Sequence, residues 1–472
     1  MILALFTILI VVGCFATLTN WRYGIFWFVA VGLLQDPVRK LTPGVPGFLV
    51  LATTPIWAAM VIQMWKAGLR WRRIAVAFPG LGRATLAFVV SLFPAAVISA
   101  TLGPGSWQLT LLGGFTYMSL LASASAGYLL FRNMDGLRRF LAFYCVATAV
   151  LLSGSLLEYL SIPFPALGTE MLGMIWTRDI PGTVIHMISG FFRSPDVMGW
   201  HAAAAAMIAM ALALSGRLGS RWFWIALAVW SASIVILCGR RKMVYMLPLF
   251  VMVVTWLLWI YGRRWNMLSL VATMLLSVTG LLFLYRSIGT DESFVAYYTS
   301  SPGDAYASVE KHGFDAVVET YRQMGFFGGG LGLAAQGAHH LSVDNSGVWQ
   351  ESGPSRALVD LGVPGLLALL VLGLVLLSCL MRIIRGLAAA RSVHLPMWSG
   401  LLAMVLANAS SFVVSGQIFG DPFISCLLAI LIGVLLGARR LEGATPAPSR
   451  LNQSRSPRAA QHVQRQVIQG IR

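Results

Sequence analysis

Stretches of about 20 apolar residues recur along the whole of this chain, and each is long enough to cross the hydrocarbon core of a bilayer. In lipid every backbone polar group must be satisfied inside the protein, so such stretches fold as helices. They fall at about 1–18, 22–34, 47–65, 84–103, 108–131, 139–160, 197–215, 222–238, 243–261, 267–285, 357–381, 397–414 and 422–437. The expected fold is all-α, a polytopic integral membrane protein of about 12–13 transmembrane helices. The first two runs meet at Asn20-Trp21-Arg22, and a count of 12 follows if they form one broken unit. Met1 to Leu18 has no basic leader and no small-residue cleavage pattern after it, so it reads as a retained helix and not as a signal peptide.

With 58% hydrophobic and 11% charged residues, the chain is too apolar for a water-soluble protein of 472 residues. Its net charge of +17 is not a nucleic-acid signal, because the cations sit in short loops between spans and in the tail. Those cations orient the chain, since basic residues collect on the cytoplasmic face. Arg439 onward carries seven Arg and one Glu, which places the tail inside the cell. Counting back span by span puts 23 basic residues inside and 11 outside, and of 17 acids only Asp135 and Glu442 inside. The five cysteines lie in or at the ends of apolar runs without metal spacing, and behave as small hydrophobes.

The organisation that follows is an N-terminal bundle (1–285), a large outside loop (286–356), C-terminal spanning helices (357–438) and a basic tail (439–472) whose composition predicts disorder. Two shorter outside loops run from Gln35 to Gly44 and from Ser161 to Gly199. Within the large loop, 304–324 has an amphipathic helical rhythm suited to lying on the membrane surface or capping a cavity. Gly325 to Gly337 is glycine-rich. Its GGGLGL run lacks a preceding strand and a following GK[ST], so it reads as a flexible or tightly turned loop and not as a nucleotide loop.

Three outside constellations stand out. Arg193 sits in FFRSPD at the mouth of the seventh span. It either snorkels to headgroups or forks two donors onto phosphate oxygens beside a helix N-terminus. Arg240, Arg241 and Lys242 form a basic turn on the face where cations are scarce. Three cations in four residues repel one another, so an anionic group held there is the alternative to simple headgroup contact. Glu351 and Arg356 lie five apart before the next span. They are either an ordinary helix-start pair or a general base with its orienting cation. His339 and His340 lie upstream; His340 is the rival base.

These pieces, in this order, resemble the O-antigen ligase / O-antigen polymerase superfamily of bacterial envelope glycosyltransferases. Gly330-Leu331-Gly332-Leu333 stands for the family's GxGLG stretch, and Asp360-Leu361-Gly362-Val363-Pro364-Gly365 for its ELGxxG. The likeness covers roughly residues 190–380. Where many members carry His-Asn about eleven residues before the Gly of ELG, this chain has Glu351. The resemblance implies a GT-C-like fold in the bacterial cytoplasmic membrane with its active face extracytoplasmic. It implies transfer of a glycan from an undecaprenyl-diphosphate-linked donor to an acceptor sugar, as a polysaccharide polymerase or ligase, with no metal and no cofactor. Arg193, Arg240, Arg241 and Arg356 would bind the diphosphate, and Glu351 or His340 would be catalytic. Polysaccharide-export machinery is the expected protein partner. A transporter or flippase of lipid-linked oligosaccharides is the alternative, but the two halves show no repeat and the charged candidates are not at mid-depth. A non-catalytic scaffold is the third reading.

Overall fold

The computed structural model describes residues 1–68, 71–103, 105–168, 176–180, 183–215, 218–261, 313, 315–335, 338 and 350–443. Helices run in chain order as α1 (Ile2–Thr19), α2 (Gly24–Leu41), α3 (Thr54–Lys66), α4 (Arg72–Ala77), α5 (Pro79–Ala100), α6 (Trp107–Leu130) and α7 (Met134–Tyr159). They continue as α8 (Pro195–Ser215), α9 (Leu218–Leu237), α10 (Arg241–Ile260), α11 (Ala316–Met324), α12 (Gly353–Ala389), α13 (Leu395–Val414), α14 (Pro422–Leu436) and α15 (Ala438–Leu441). Two short strands, β1 (Thr177–Ile180) and β2 (Thr183–His186), pair antiparallel between α7 and α8. Among the described residues ten helical segments are long and apolar enough to cross a membrane, and α14 is a shorter apolar helix. The architecture is that of an all-α, multi-pass membrane protein. The predicted run 267–285, the first part of the 304–324 stretch, His339, His340 and the tail from 444 lie outside the described residues.

α8 is the axis of the bundle. Every residue from Pro195 to Leu214 is buried. Its run of alanines explains this: small side chains let α7, α9, α10 and α13 approach its backbone on several sides. α14 lies along α6, and α12 along α5.

α2 departs from the expected boundary. The apolar run ends near residue 34, yet the helix continues to Leu41 despite Pro37. Asp36 and Lys40, four residues apart, therefore share a helix face, and both are buried.

The glycine-rich segment is tightly turned and docked into the bundle. α12 is broken at Gly362, where φ is 66° and ψ −172°. In an unbroken helix Val363 N–H would donate to Val359 C=O. Here Val363 N donates instead to Phe326 O at 2.8 Å, and Val359 O accepts from Gly329 N at 2.7 Å. Leu331 N donates to Ala95 O of α5 at 3.0 Å. The helix break supplies the partners that a loop needs when it enters a membrane bundle. Gly332 fits only as glycine: its φ is +91°, and an added Cβ would stand 2.0 Å from Leu109 O. Gly332→Ala is expected to cost about 1–3 kcal/mol, seen as a lower thermal unfolding midpoint in detergent. An unchanged midpoint would show that the loop does not dock this way.

Candidate functional site

The turn between α13 and α14, residues 415–421, gathers the candidate residues. α13 ends at Val414, and Ser415 turns the chain into extended backbone. Ser415 Oγ accepts from Lys242 Nζ at 2.6 Å. Gly416 N donates to Glu351 O at 2.6 Å, and Gly416 O accepts from Arg356 Nη1 at 2.8 Å. Asp421 accepts from Phe423 N and Ile424 N at 2.7 and 3.1 Å and so caps α14. Its other oxygen accepts from Arg193 Nη2. Segments distant in sequence thus meet at one end of the bundle.

Four helix N-termini open onto this cluster: α8 behind Arg193, α10 at Arg241, α12 at Gly353 and α14 at Pro422. Each carries partial positive charge. Asp196 in the first turn of α8 and Asp421 at the cap of α14 offset part of it.

Arg193 is held between two carboxylates. Nη1 donates to Asp36 Oδ1 at 3.2 Å and Nη2 to Asp421 Oδ2. All three side chains are buried. Burial opposes the guanidinium charge, but Asp421 and then Asp36 outweigh it and hold its pKa above the ordinary value. The loop carrying Arg193 is clamped from both sides. Lys40 Nζ donates to Gly190 O at 2.7 Å and to Ser189 Oγ at 3.2 Å. Glu158 Oε2 accepts from Gly190 N at 2.6 Å and from Ser189 N at 3.3 Å.

The basic turn shares one carboxylate. Asp196 pairs with Arg240 Nε at 2.9 Å and with Lys242 Nζ at 2.7 Å. The Arg240 guanidinium also lies 5.5 Å from the ring centroid of Trp176. Arg241 is the first residue of α10 and half-buried. Arg356 sends Nε and Nη2 to Ala334 O at 3.2 and 2.9 Å, tying the glycine-rich segment to the 415–421 turn. Glu351 is exposed at the same place. Among the described residues no three His, Cys, Asp or Glu are grouped to hold a metal ion.

Below Arg356 a cavity of about 270 Å³ runs between α6, α12 and α14. Its upper end is framed by Gly353, Arg356 and Gly416, and its lower end by Trp71, Leu81 and Leu436. Between them the wall is Leu120, Leu121, Leu369, Leu372, Leu376 and Ile432. The carboxylate of Asp360 also lines it, accepting from Ala334 N at 2.8 Å and Tyr117 OH at 3.0 Å.

Five participants were not singled out from sequence: Asp36, Lys40, Glu158, Asp421 and Tyr117. The signal available for the acids was their own skew. Asp36, Glu158, Asp196 and Asp421 all belong to the acid-rich side, and each binds either a cation there or the loop that carries one. Nothing in the sequence pairs Tyr117 with Asp360. No protein-family model matches this chain, and no curated protein matches it.

Proposed function

We propose that this protein transfers a glycan from a polyprenyl-diphosphate carrier to an acceptor sugar at the outer face of the cytoplasmic membrane, as the family resemblance implies for an undecaprenyl-linked donor. One observation carries the reading: four helix N-termini and the cations Arg240, Arg241, Lys242 and Arg356 gather around the 415–421 turn, whose Gly416 frames with Arg356 the head of an apolar cavity running down the bundle. A lipid diphosphate has that division of chemistry, two phosphates on a hydrocarbon chain.

The acceptor hydroxyl attacks the anomeric carbon, and the bond from that carbon to the diphosphate oxygen breaks. Glu351, or His340, takes the hydroxyl proton. The diphosphate leaves on the lipid with one more negative charge. Arg240, Arg241 and Arg356, all half-buried, stabilise that charge as it develops. Arg193, committed to two carboxylates, fixes the mouth of α8 and the α13–α14 turn. The segment 326–335, bound by Arg356, closes the site on the side of α5.

A plug in the cavity tests the lipid path without touching a charge. Leu120→Trp or Ala429→Phe should raise the KM for a long-chain polyprenyl donor about ten-fold, the equivalent of roughly two methylenes denied burial. A donor shortened to one or two isoprene units should be unaffected. Equal effects on both donors, or on neither, would remove the cavity from the reaction. A deletion strain supplies the second check: the lipid-linked saccharide should accumulate on the outer leaflet. Accumulation on the inner leaflet would identify a flippase instead.

A further inference from the structure

The opposite end of the bundle carries a separate group of arginines. Arg440 in α15 donates Nη2 to Tyr128 O at 2.6 Å and to Phe131 O at 3.0 Å, the last carbonyls of α6 and the residue after it. Arg132 follows Phe131 directly and is exposed. Arg22, in the turn between α1 and α2, lies over Trp21 with its guanidinium 4.8 Å from the ring centroid. Arg22 Nε is buried without a hydrogen-bond partner. Phe26, four residues after Arg22, packs on Phe140 with ring centroids 6.0 Å apart, and Phe140 packs on Phe131 at 5.5 Å, which brings the α1–α2 turn beside Arg132. Burial, then the charges of Arg132 and Arg440, lower the pKa of Arg22. Among the described residues none of the three is ion-paired to a carboxylate. Glu442, two residues after Arg440, accepts from Trp398 Nε1 at 2.8 Å.

Three guanidiniums that repel one another, one with a buried donor left over, form an arrangement that an anion stabilises. The surroundings select a lipid over a free anion. Phe15, Leu18 and Tyr23 are exposed on α1 and its turn beside Arg22, an apolar wall with an aromatic at the headgroup level. In sequence, residues 444–472 hold five more arginines and no acid.

The geometry points to a binding site for the headgroup of an anionic phospholipid, formed by Arg22, Arg132 and Arg440 with the lipid chains along α1. This site is separate from the proposed donor site and does not depend on that function.

The test is a titration of the purified full-length protein in neutral detergent with phosphatidylglycerol, phosphatidylcholine or inorganic phosphate, read by native mass spectrometry. Phosphatidylglycerol should bind in preference to phosphatidylcholine, and millimolar inorganic phosphate should not displace it. Arg132→Gln and Arg22→Gln should each weaken it about five-fold, while Arg132→Lys retains it. Among the described residues Arg132 has no hydrogen-bond partner, so its variant keeps the test free of misfolding; Arg440 is left intact because it caps α6. Unchanged affinity in the Arg22→Gln/Arg132→Gln double variant would overturn the site. Displacement by inorganic phosphate would overturn the lipid as its ligand.

Discussion

Arg193→Ala is expected to destabilise the folded protein by about 3–5 kcal/mol, because it leaves Asp36 and Asp421 buried and facing each other without their cation. The loss is one of desolvation more than of attraction. The wild-type triad gains little over an apolar packing of the same volume, but a half-dismantled triad strands charge where water cannot reach it. Asp36→Asn should cost less, since the amide oxygen still accepts from Nη1 and Asp421 still neutralises the guanidinium. Asp421→Ala should approach the Arg193 value, because the same carboxylate also caps α14, and a lost cap adds about 1 kcal/mol. Arg193→Lys should rescue only in part: one ammonium cannot fork to two carboxylates on separate helices. Thermal unfolding of the four purified variants in one detergent measures the order. Arg193→Ala with wild-type stability would mean that the three side chains do not meet, and the convergence on the 415–421 turn would fall with them.

The legibility of this chain follows from which forces are local. A run such as 422–437 predicts α14 because the bilayer demands a helix of whatever apolar segment crosses it. α2 is where that rule stops: the bilayer has no say over Gln35 to Leu41, and the helix extends there because Lys40 reaches Ser189 and Gly190 while Asp36 reaches Arg193. Those contacts join residues about 150 positions apart, so no window of sequence contains them. The β1–β2 hairpin escaped for a similar reason: four-residue strands carry almost no periodicity. The prominence of Arg193, Arg240 and Arg356 was legible as a violation of the usual charge distribution, whereas their partners were not. Gly362 shows the mixed case. The DLGVPG motif marks it, but that its φ opens α12 to Phe326 and Gly329 appears only in three dimensions.

Glu351→Gln is expected to lower glycan transfer about 10²–10⁴-fold, the usual worth of a positioned general base, with the protein still inserted and folded. Glu351 is exposed at the start of α12, so its amide should cost little stability. Arg241→Ala should lower transfer about 10²–10³-fold by removing a charge that acts on the leaving diphosphate. Arg241→Lys should recover part of the rate, because a point charge at the N-terminus of α10 still meets the phosphate. Conversion of a purified lipid-linked donor measures all three, with unfolding midpoints as the control. The His340→Ala variant separates the two candidate bases: only removal of the true base should cost transfer the full factor of about 10²–10⁴, the worth of a positioned base. Loss of transfer in His340→Ala with full activity in Glu351→Gln moves the proton acceptor to His340 and leaves the cation cluster in its role. Full activity in Glu351→Gln, His340→Ala and Arg241→Ala together would leave neither candidate base nor Arg241 acting on a glycosyl donor. The polar head of the cavity would then serve passage of a lipid and not its chemistry, because a transport path needs the cavity and the charge balance but no proton acceptor beside them.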